Sequence, residues 1–328
     1  MRTYATIGPA CADRETLAAM LRRGLTGFRL NLSHTTLPDC ADWLNNLRLA
    51  GEQVGRKPEL IIDLRGGEVR IGALREPLVL KEGEHITLGE EIPVASDVLA
   101  ALKDGWELLL DDGAMALTVE QGARCRVTRG GVLTSHKSLT LPIELPRPIV
   151  SEEDRADLRV AAQYGVTAVM QPFVRSRADL EEVRAALHEY NLDELEIFAK
   201  VEDAAGLASL PEWMELCDTV TVARGDLGSN LPLWTLPKVQ KKIAAQCRAA
   251  GKPFLVVTQL LWSMIENPTP TRAEVSDIYN AVLDGASALM LTNETAQGKH
   301  PAEAVDWLMR VIEAAAGAAE PAIPPERN

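Results

Sequence analysis

Apolar residues in this chain arrive in short β-branched or alternating runs, separated by longer amphipathic stretches. Eight runs read as strands: YATIG (4–8), GFRLNLS (27–33), ELIIDLRG (59–66), AVMQPFV (168–174), LEIFAKVE (195–202), TVTVARGD (219–226), PFLVVTQ (253–259) and ASALMLTNE (286–294). Helical patterns with marked ends lie between them. Asp13 opens a helix that Gly24 closes, and Ser151 with Asp154 forms a capping-box pattern before RADLRVAAQYG. Thr271 and Glu274 form another before VSDIYNAVLDG, and LPKVQKKIAAQCRAAG closes on Gly251. Strand–helix alternation implies parallel strands covered by helices, and eight such units predict an α/β fold, a closed (β/α)8 TIM barrel. A doubly wound open sheet is the rival arrangement of the same pattern.

One interval breaks the rhythm. Between the third and fourth runs the chain shows short alternating segments (EVRIGAL, PLVLKEGEHITLG, WELLLDDGAMALTV, ARCRVTRGGVLTS) and no long helix. This predicts a small all-β domain inserted after strand 3. Loops that follow barrel strands lie on the catalytic face, so such an insertion acts as a lid. The expected organisation is barrel over 1–66, lid over 67–146, barrel again over 147–318, and a flexible Pro-rich tail over 319–328.

Composition narrows the function classes. The 328 residues are 46% hydrophobic and 25% charged, as in ordinary globular proteins. A formal net charge of -13 argues against a nucleic-acid partner but leaves room for a local basic pocket holding a small phosphorylated ligand. No apolar run reaches membrane-spanning length and the amino terminus lacks a signal core, so the expectation is a cytoplasmic protein with no membrane partner. Five scattered cysteines, odd in number and without metal-like spacing, read as reduced thiols.

The chemistry should therefore sit where strands end. Strand 2 ends in Arg29, Asn31, Ser33 and His34; strand 3 carries Asp63, Arg65 and Glu68, with Arg70 beyond. Strand 5 carries Lys200 and Glu202, strand 6 Arg224 and Asp226, strand 7 Thr258 and Gln259, and strand 8 Thr292 and Glu294. Lys200 and Glu202 are two apart, so they share one face of the sheet and point into the barrel mouth. A lysine with two carboxylates suggests a divalent cation beside an anionic substrate, and Mg2+ suits two carboxylates whose other ligands are substrate oxygens and water. In VTVARGDLGSN, Gly225 allows a tight turn. The amides of Gly225, Asp226 and Leu227 at a new helix start then make a carboxylate or phosphate site, with Arg224 bracing the turn through a salt bridge to a nearby acid. Plainer readings compete: Lys200–Glu202 as an internal ion pair, Asp63–Arg65 as a structural pair below the site, and His34 as an ordinary loop histidine.

The motifs ATIGPA, FRLNLSH, IIDLRGGEVR, LLLDDGAMAL, GGVLTSHKSLTLP, IVSEEDRADLRVAAQYGV, FAKVEDAAG, TVARGDLG, GKPFLVVTQLLWSMIENPTPTRAEVSD and NAVLDGASALMLTNETAQGKHPAEAV run in order along almost the whole chain. In this set the sequence resembles the pyruvate kinases, whose fold is a (β/α)8 barrel with a small β domain inserted after strand 3. The resemblance implies phosphoryl transfer between phosphoenolpyruvate and ADP. It makes Glu202 and Asp226 the Mg2+ ligands (Mn2+ substituting), Lys200 and Arg29 the groups on the transferred phosphoryl, and the amides from Ala223 through Arg224 and Gly225 to Asp226, with Thr258, the holders of the substrate carboxylate. Asn31, Ser33 and Asp63 match a K+ site, and the acidic Glu68 resembles the K+-dependent branch. Arg29, Asn31, His34, Arg70 and Lys137 match nucleotide contacts. Thr258 and Thr292 are candidates for protonating the enolate.

The sequence also departs from the family pattern. Pro172 precedes Phe173 where a serine is usual, and Leu64, Arg65, Gly66, Gly67 replace Thr-Lys-Gly-Pro. Thr292–Asn293 replaces Ser-Gly, and His136, Ser138 and Thr140 stand where Lys, Gly and Asn are usual. The usual C-terminal effector domain is not in this sequence, so sugar-phosphate allostery and the subunit contact of that domain are expected to be absent. A homodimer through barrel helices is the expected assembly. A second reading of the same core is a pyruvate-enolate enzyme of another class, a lyase, aldolase or transferase using the same Mg2+ site. A third, a non-catalytic relative, is disfavoured by the retained lysine and carboxylates.

Overall fold

Eight parallel strands close into a barrel: β1 (Arg2–Thr6), β2 (Gly27–Asn31), β3 (Glu59–Asp63), β4 (Ala168–Gln171), β5 (Glu196–Val201), β6 (Thr219–Ala223), β7 (Phe254–Val257) and β8 (Ala288–Leu291). Each pairs with the next, and β1 pairs with β8 to complete the ring. This is the closed alternative, not the open sheet. The computed structural model describes residues 1–111, 113–143, 145 and 147–317; the tail expected at 319–328 lies outside the described residues.

The helix signals act as read. Asp13 accepts from the Thr16 amide at the start of helix Arg14–Arg22, and Gly24 follows it at φ +103°. Thr271 and Glu274 form a reciprocal capping box on helix Arg272–Leu283, and Gly251, at φ +63°, lies just past helix Leu236–Ala249.

Period-two alternation fills the barrel. Tyr4, Ile61, Met170, Phe198, Leu255 and Met290 make its buried interior, with the Tyr4 and Phe198 rings edge-to-face at 5.9 Å. Phe198, Lys200 and Glu202 share parity, so the side chain that packs the interior is followed by Lys200 on β5 and by Glu202 just past its end, the two that reach the mouth. At the opposite end Arg2 pairs with Glu196 at 2.6 Å, and the Tyr4 hydroxyl donates to Glu59 at 2.6 Å.

Every strand ends before the run read for it does, and at three of them the local cause is plain. β4 ends at Gln171, where Pro172 has no N–H to give and Phe173 turns to φ +51°. β6 ends at Ala223, and residues 224–226 open the helix Arg224–Asn230. β7 ends at Val257, followed by Thr258 and Gln259 at φ +79° and +53°.

Residues Gly66–Ser151 form a unit of their own. Its main sheet is antiparallel, in the order Leu139–Thr140, Glu107–Leu110, Met115–Gln121, Arg124–Arg129, His85–Thr87, with Leu78–Leu80 pairing Gly131–Leu133 separately. Its only helix among the described residues is the short Ser96–Ala101. Leu108, Leu110, Leu117, Val127 and Leu133 are buried in its separate core.

Candidate active site

The barrel mouth gathers charge. Lys200 Nζ lies 3.0 Å from Glu202 Oε1 and 3.3 Å from Asp63 Oδ1. Arg29 grips Asp63 Oδ2 from Nη2 and Nε at 2.6 and 2.8 Å, while its Nη1 donates to the Thr6 hydroxyl at 3.1 Å. The side chains of Asp63 and Glu202 are 2% and 1% exposed, so these pairs operate away from bulk water. Burial alone would raise the Asp63 carboxyl, but the Lys200 ammonium and the Arg29 guanidinium override it and hold it below its ordinary value. Burial would lower the Lys200 ammonium, yet Asp63, Glu202 and Asp226 together raise it. Glu202 behaves differently. Desolvation, with the charges of Asp226 and Asp63 adding to it, pushes its carboxyl up to about 8 despite Lys200.

Backbone geometry positions the rest. Glu202 Oε2 accepts the Phe173 amide at 2.8 Å, a contact made from the left-handed turn that ends β4. Arg224 donates from Nη2 and Nε to the Thr258 carbonyl at 2.7 and 3.2 Å, and from Nη1 to Asp277 at 2.6 Å. The salt bridge expected of Arg224 thus exists, and its partner comes from helix Arg272–Leu283. It fixes Thr258 in a conformation that a non-glycine residue adopts only under constraint. Thr258 faces Gly225: a β-carbon at 225 would stand 3.2 Å from Thr258 Cγ2. No side chain caps the helix that starts at Arg224, so no side-chain acceptor from Ala223 competes for its first-turn amides.

Other candidates are placed less centrally. Asn31 Oδ1 accepts the Ser33 amide at 3.3 Å, and His34 is exposed on the same loop. The Thr292 hydroxyl donates to the fully buried Glu294 at 3.0 Å, and the same carboxylate accepts the amides of Thr292 and Leu261. Arg65 does not pair with Asp63. Its guanidinium goes to Asp157 at 2.8 Å, Asp154 at 3.3 Å and the Thr35 carbonyl at 2.7 Å, because Asp63 is turned into the barrel toward Arg29 and Lys200. Within the inserted unit Lys137 pairs with Asp111 at 2.7 Å, and Arg70 pairs with Glu68 at 2.5 Å and donates to the His136 carbonyl.

The donor set bears on the implied metals. Among the described residues no group of three or more His, Cys, Asp or Glu side chains is arranged to hold a metal. The mouth offers two carboxylates instead, Glu202 and Asp226, as Mg2+ tolerates when substrate and water complete its shell. The three carboxylates Asp63, Glu202 and Asp226 face the two cations Lys200 and Arg29, and burial first, then the charges of Asp226 and Asp63, raises Glu202. Oxygen-only donors fit a hard dication. Asp63 Oδ1 is buried and makes no hydrogen bond, but the Lys200 ammonium lies 3.3 Å from it and already meets its charge.

Sequence reasoning missed several of these contacts. The hold of Asp277 on Arg224, the Phe173 amide on Glu202, and the carboxylate of Glu294 on Thr292 depend on register between distant segments. Glu274 in its capping box located the helix that carries Asp277, but not the face it turns toward Arg224.

A closed eight-stranded barrel whose mouth gathers a buried ammonium, a guanidinium and oxygen donors has the architecture of a (β/α)8-barrel enzyme. The family model described as "Pyruvate kinase, barrel domain" matches residues 2–305. The pyruvate kinase of Aeropyrum pernix is 39% identical over 320 residues, covering 95% of this chain and 70% of that protein. That of Corynebacterium efficiens is 38% identical over 322 residues (94% of this chain, 68% of the relative), and that of Geobacillus stearothermophilus 34% over 323 (93% and 55%). The chain belongs to the pyruvate kinase family, a family of phosphotransferases, and spans from 55% to 70% of the length of these relatives. No helix among the described residues is long and apolar enough to cross a membrane.

Proposed function

We propose that this chain transfers a phosphoryl group between phosphoenolpyruvate and ADP, or the reverse with pyruvate and ATP, using Mg2+ and K+ in the cytoplasm. The observation that carries the reading is the buried Lys200 ammonium held 3.0 Å from Glu202 beside Asp63 and Arg29. Phosphoryl transfer needs positioning and cancellation of spread negative charge more than covalent help. Lys200 and Arg29 supply fixed positive charge, and their Asp63 partner keeps both aimed into the mouth. The amides from Gly225 to Asp226 orient the substrate carboxylate, with Thr258 held against them. Glu202 and Asp226 hold Mg2+ (or Mn2+), and Asn31, Ser33 and Asp63 hold K+. When bound, the dication supplies neutralisation of phosphoryl and enolate oxygens. The Thr258 and Thr292 hydroxyls are the candidates for relaying a proton from water to the enolate carbon, each giving its own proton and taking one from water; in the resting geometry the Thr292 hydroxyl is turned toward Glu294. His34, and in the insertion Arg70 and Lys137, are the proposed nucleotide contacts.

Pyruvate formation from phosphoenolpyruvate with ADP, Mg2+ and K+, read by a coupled assay, tests the reading. No pyruvate under those conditions rejects it. A second reading, an enolate enzyme with another acceptor, is favoured by the Pro172–Phe173 turn, which presents a backbone amide to Glu202. Nucleotide-independent consumption of phosphoenolpyruvate, with products identified by mass spectrometry, selects that reading. Exposed Leu233, Trp234, Trp262 and Leu283 on the barrel unit support a homodimer, and a monomeric mass by light scattering overturns it.

A further inference from the structure

The two proposed Mg2+ carboxylates come from neighbouring strands, yet neither residue lies within the strand ladder. β5 and β6 are in register through Val201 and Val222, and Glu202 and Asp226 both follow that last pair. Past that point the separation of the two backbones must be set by something else. The side chain of Asn230, at the end of the helix Arg224–Asn230, spans it. Its Nδ2 donates to the Glu202 carbonyl at 3.2 Å and to the Asp226 carbonyl at 3.0 Å. Both neighbours are acceptors, so the amide nitrogen, with two hydrogens, must face them. The hydroxyl of the adjacent Ser229 bonds within the helix, Oγ to the Gly225 carbonyl at 3.2 Å.

We infer that Asn230 is a positioning residue for the divalent cation: its amide ties the backbones of Glu202 and Asp226 together and so sets the spacing of the two carboxylates. It touches neither carboxylate and acts through the residues that carry them. Partners behind the ligands of a metal tune affinity because they hold those ligands in the binding geometry before the ion arrives. The inference rests on the Mg2+ reading above.

The test measures Mn2+ binding to the intact protein without substrate, by electron paramagnetic resonance of free Mn2+, alongside melting temperatures. Asn230→Leu removes both donors at similar size. Asn230→Asp keeps the shape but turns donor into acceptor; its added negative charge alone would tighten a cation, so weakening there separates lost spacing from charge. Both variants are expected to weaken Mn2+ about tenfold or more. Ser229→Ala, which loosens the same helix turn without touching Glu202, is expected to stay within about threefold of the parent protein. Asn230→Leu within about twofold of the parent, or Asn230→Asp binding more tightly, overturns the inference while leaving the metal reading intact. A parent protein that binds no Mn2+ overturns both.

Discussion

Replacing Lys200 by Met removes the charge on which the mouth depends, and its effect on Glu202 can be worked from the structure. The ammonium lies 3.0 Å from Glu202 Oε1. At an effective dielectric constant of about 20, a unit pair at that distance interacts by about 5 kcal/mol, or roughly four pH units. Glu202 already sits at about 8 with the ammonium beside it. Without Lys200 it stays protonated at every pH at which the protein is handled. Asp63 keeps Arg29 at 2.6 Å and stays ionised. The variant is therefore expected to fold, to carry a neutral Glu202, to lose Mn2+ affinity, and to lose turnover by about a thousandfold or more. Infrared difference spectroscopy between pH 6 and 10, with Glu202→Gln as reference, reads the protonated carboxyl, and a Mn2+ titration reads the second consequence. An ionised Glu202 at pH 8 in the Lys200→Met protein, or undiminished turnover, refutes the reasoning.

Two further outcomes follow from the same geometry. Gly225→Ala places a β-carbon 3.2 Å from Thr258 Cγ2, and Thr258 has little freedom to yield because Arg224 holds its carbonyl at 2.7 Å. A loss of about 1–3 kcal/mol in stability and a lowered kcat are expected, and unchanged melting and kinetics show that Thr258 is not rigid. In metal-free protein, Glu202 has a folded-state value near 8 against an ordinary 4.5, so its stabilising contribution is complete below 4.5 and is lost as the pH rises through 8. Asp63, held below its ordinary 3.8, works the other way: its contribution is present above that value and is lost on acidification. Melting temperature in chelator should thus fall between about pH 5 and 8 and fall less in Glu202→Gln; equal slopes for the two proteins contradict the assignment.

The barrel was legible because its signals are local. Period-two runs such as FAKVE, reciprocal caps such as Thr271–Glu274 and terminating glycines each act within a few residues. They also put Lys200 and Glu202 on one face without any knowledge of neighbours. The charge partners were less legible. Asp63 and Arg65 are two apart and were readable as a pair, but the two side chains go to different places: Asp63 into the mouth, Arg65 to Asp154 and Asp157 on the far side of the insertion in sequence. Alternation fixes direction along a strand, whereas partner choice depends on the neighbouring strands and helices. The left-handed residues Phe173, Thr258 and Gln259 were hidden for a related reason. None is Gly, Asn or Asp, so no composition cue marks a positive φ, and what holds Thr258 there is an arginine 34 positions away.

These concealed features share a location, which bears on how the mouth works. Phe173, Thr258 and Gln259 lie just beyond the ends of β4 and β7, and Arg224 just beyond β6. Strained backbone persists only where surrounding contacts over-determine it, and here the contacts are charged or hydrogen-bonded to Arg224 and Glu202. The mouth is thus already ordered, with each cation occupied by an internal counter-ion. On the proposed reading an incoming anion would meet Arg29 and Lys200 with little reorganisation, because Asp63 pairs with both and Glu202 with only one of them. In that arrangement burial, with the charges of Asp226 and Asp63 adding to it, disfavours ionisation of Glu202. On the proposed reading, a dication held by Glu202 and Asp226 would favour the ionised carboxylate and offset that penalty.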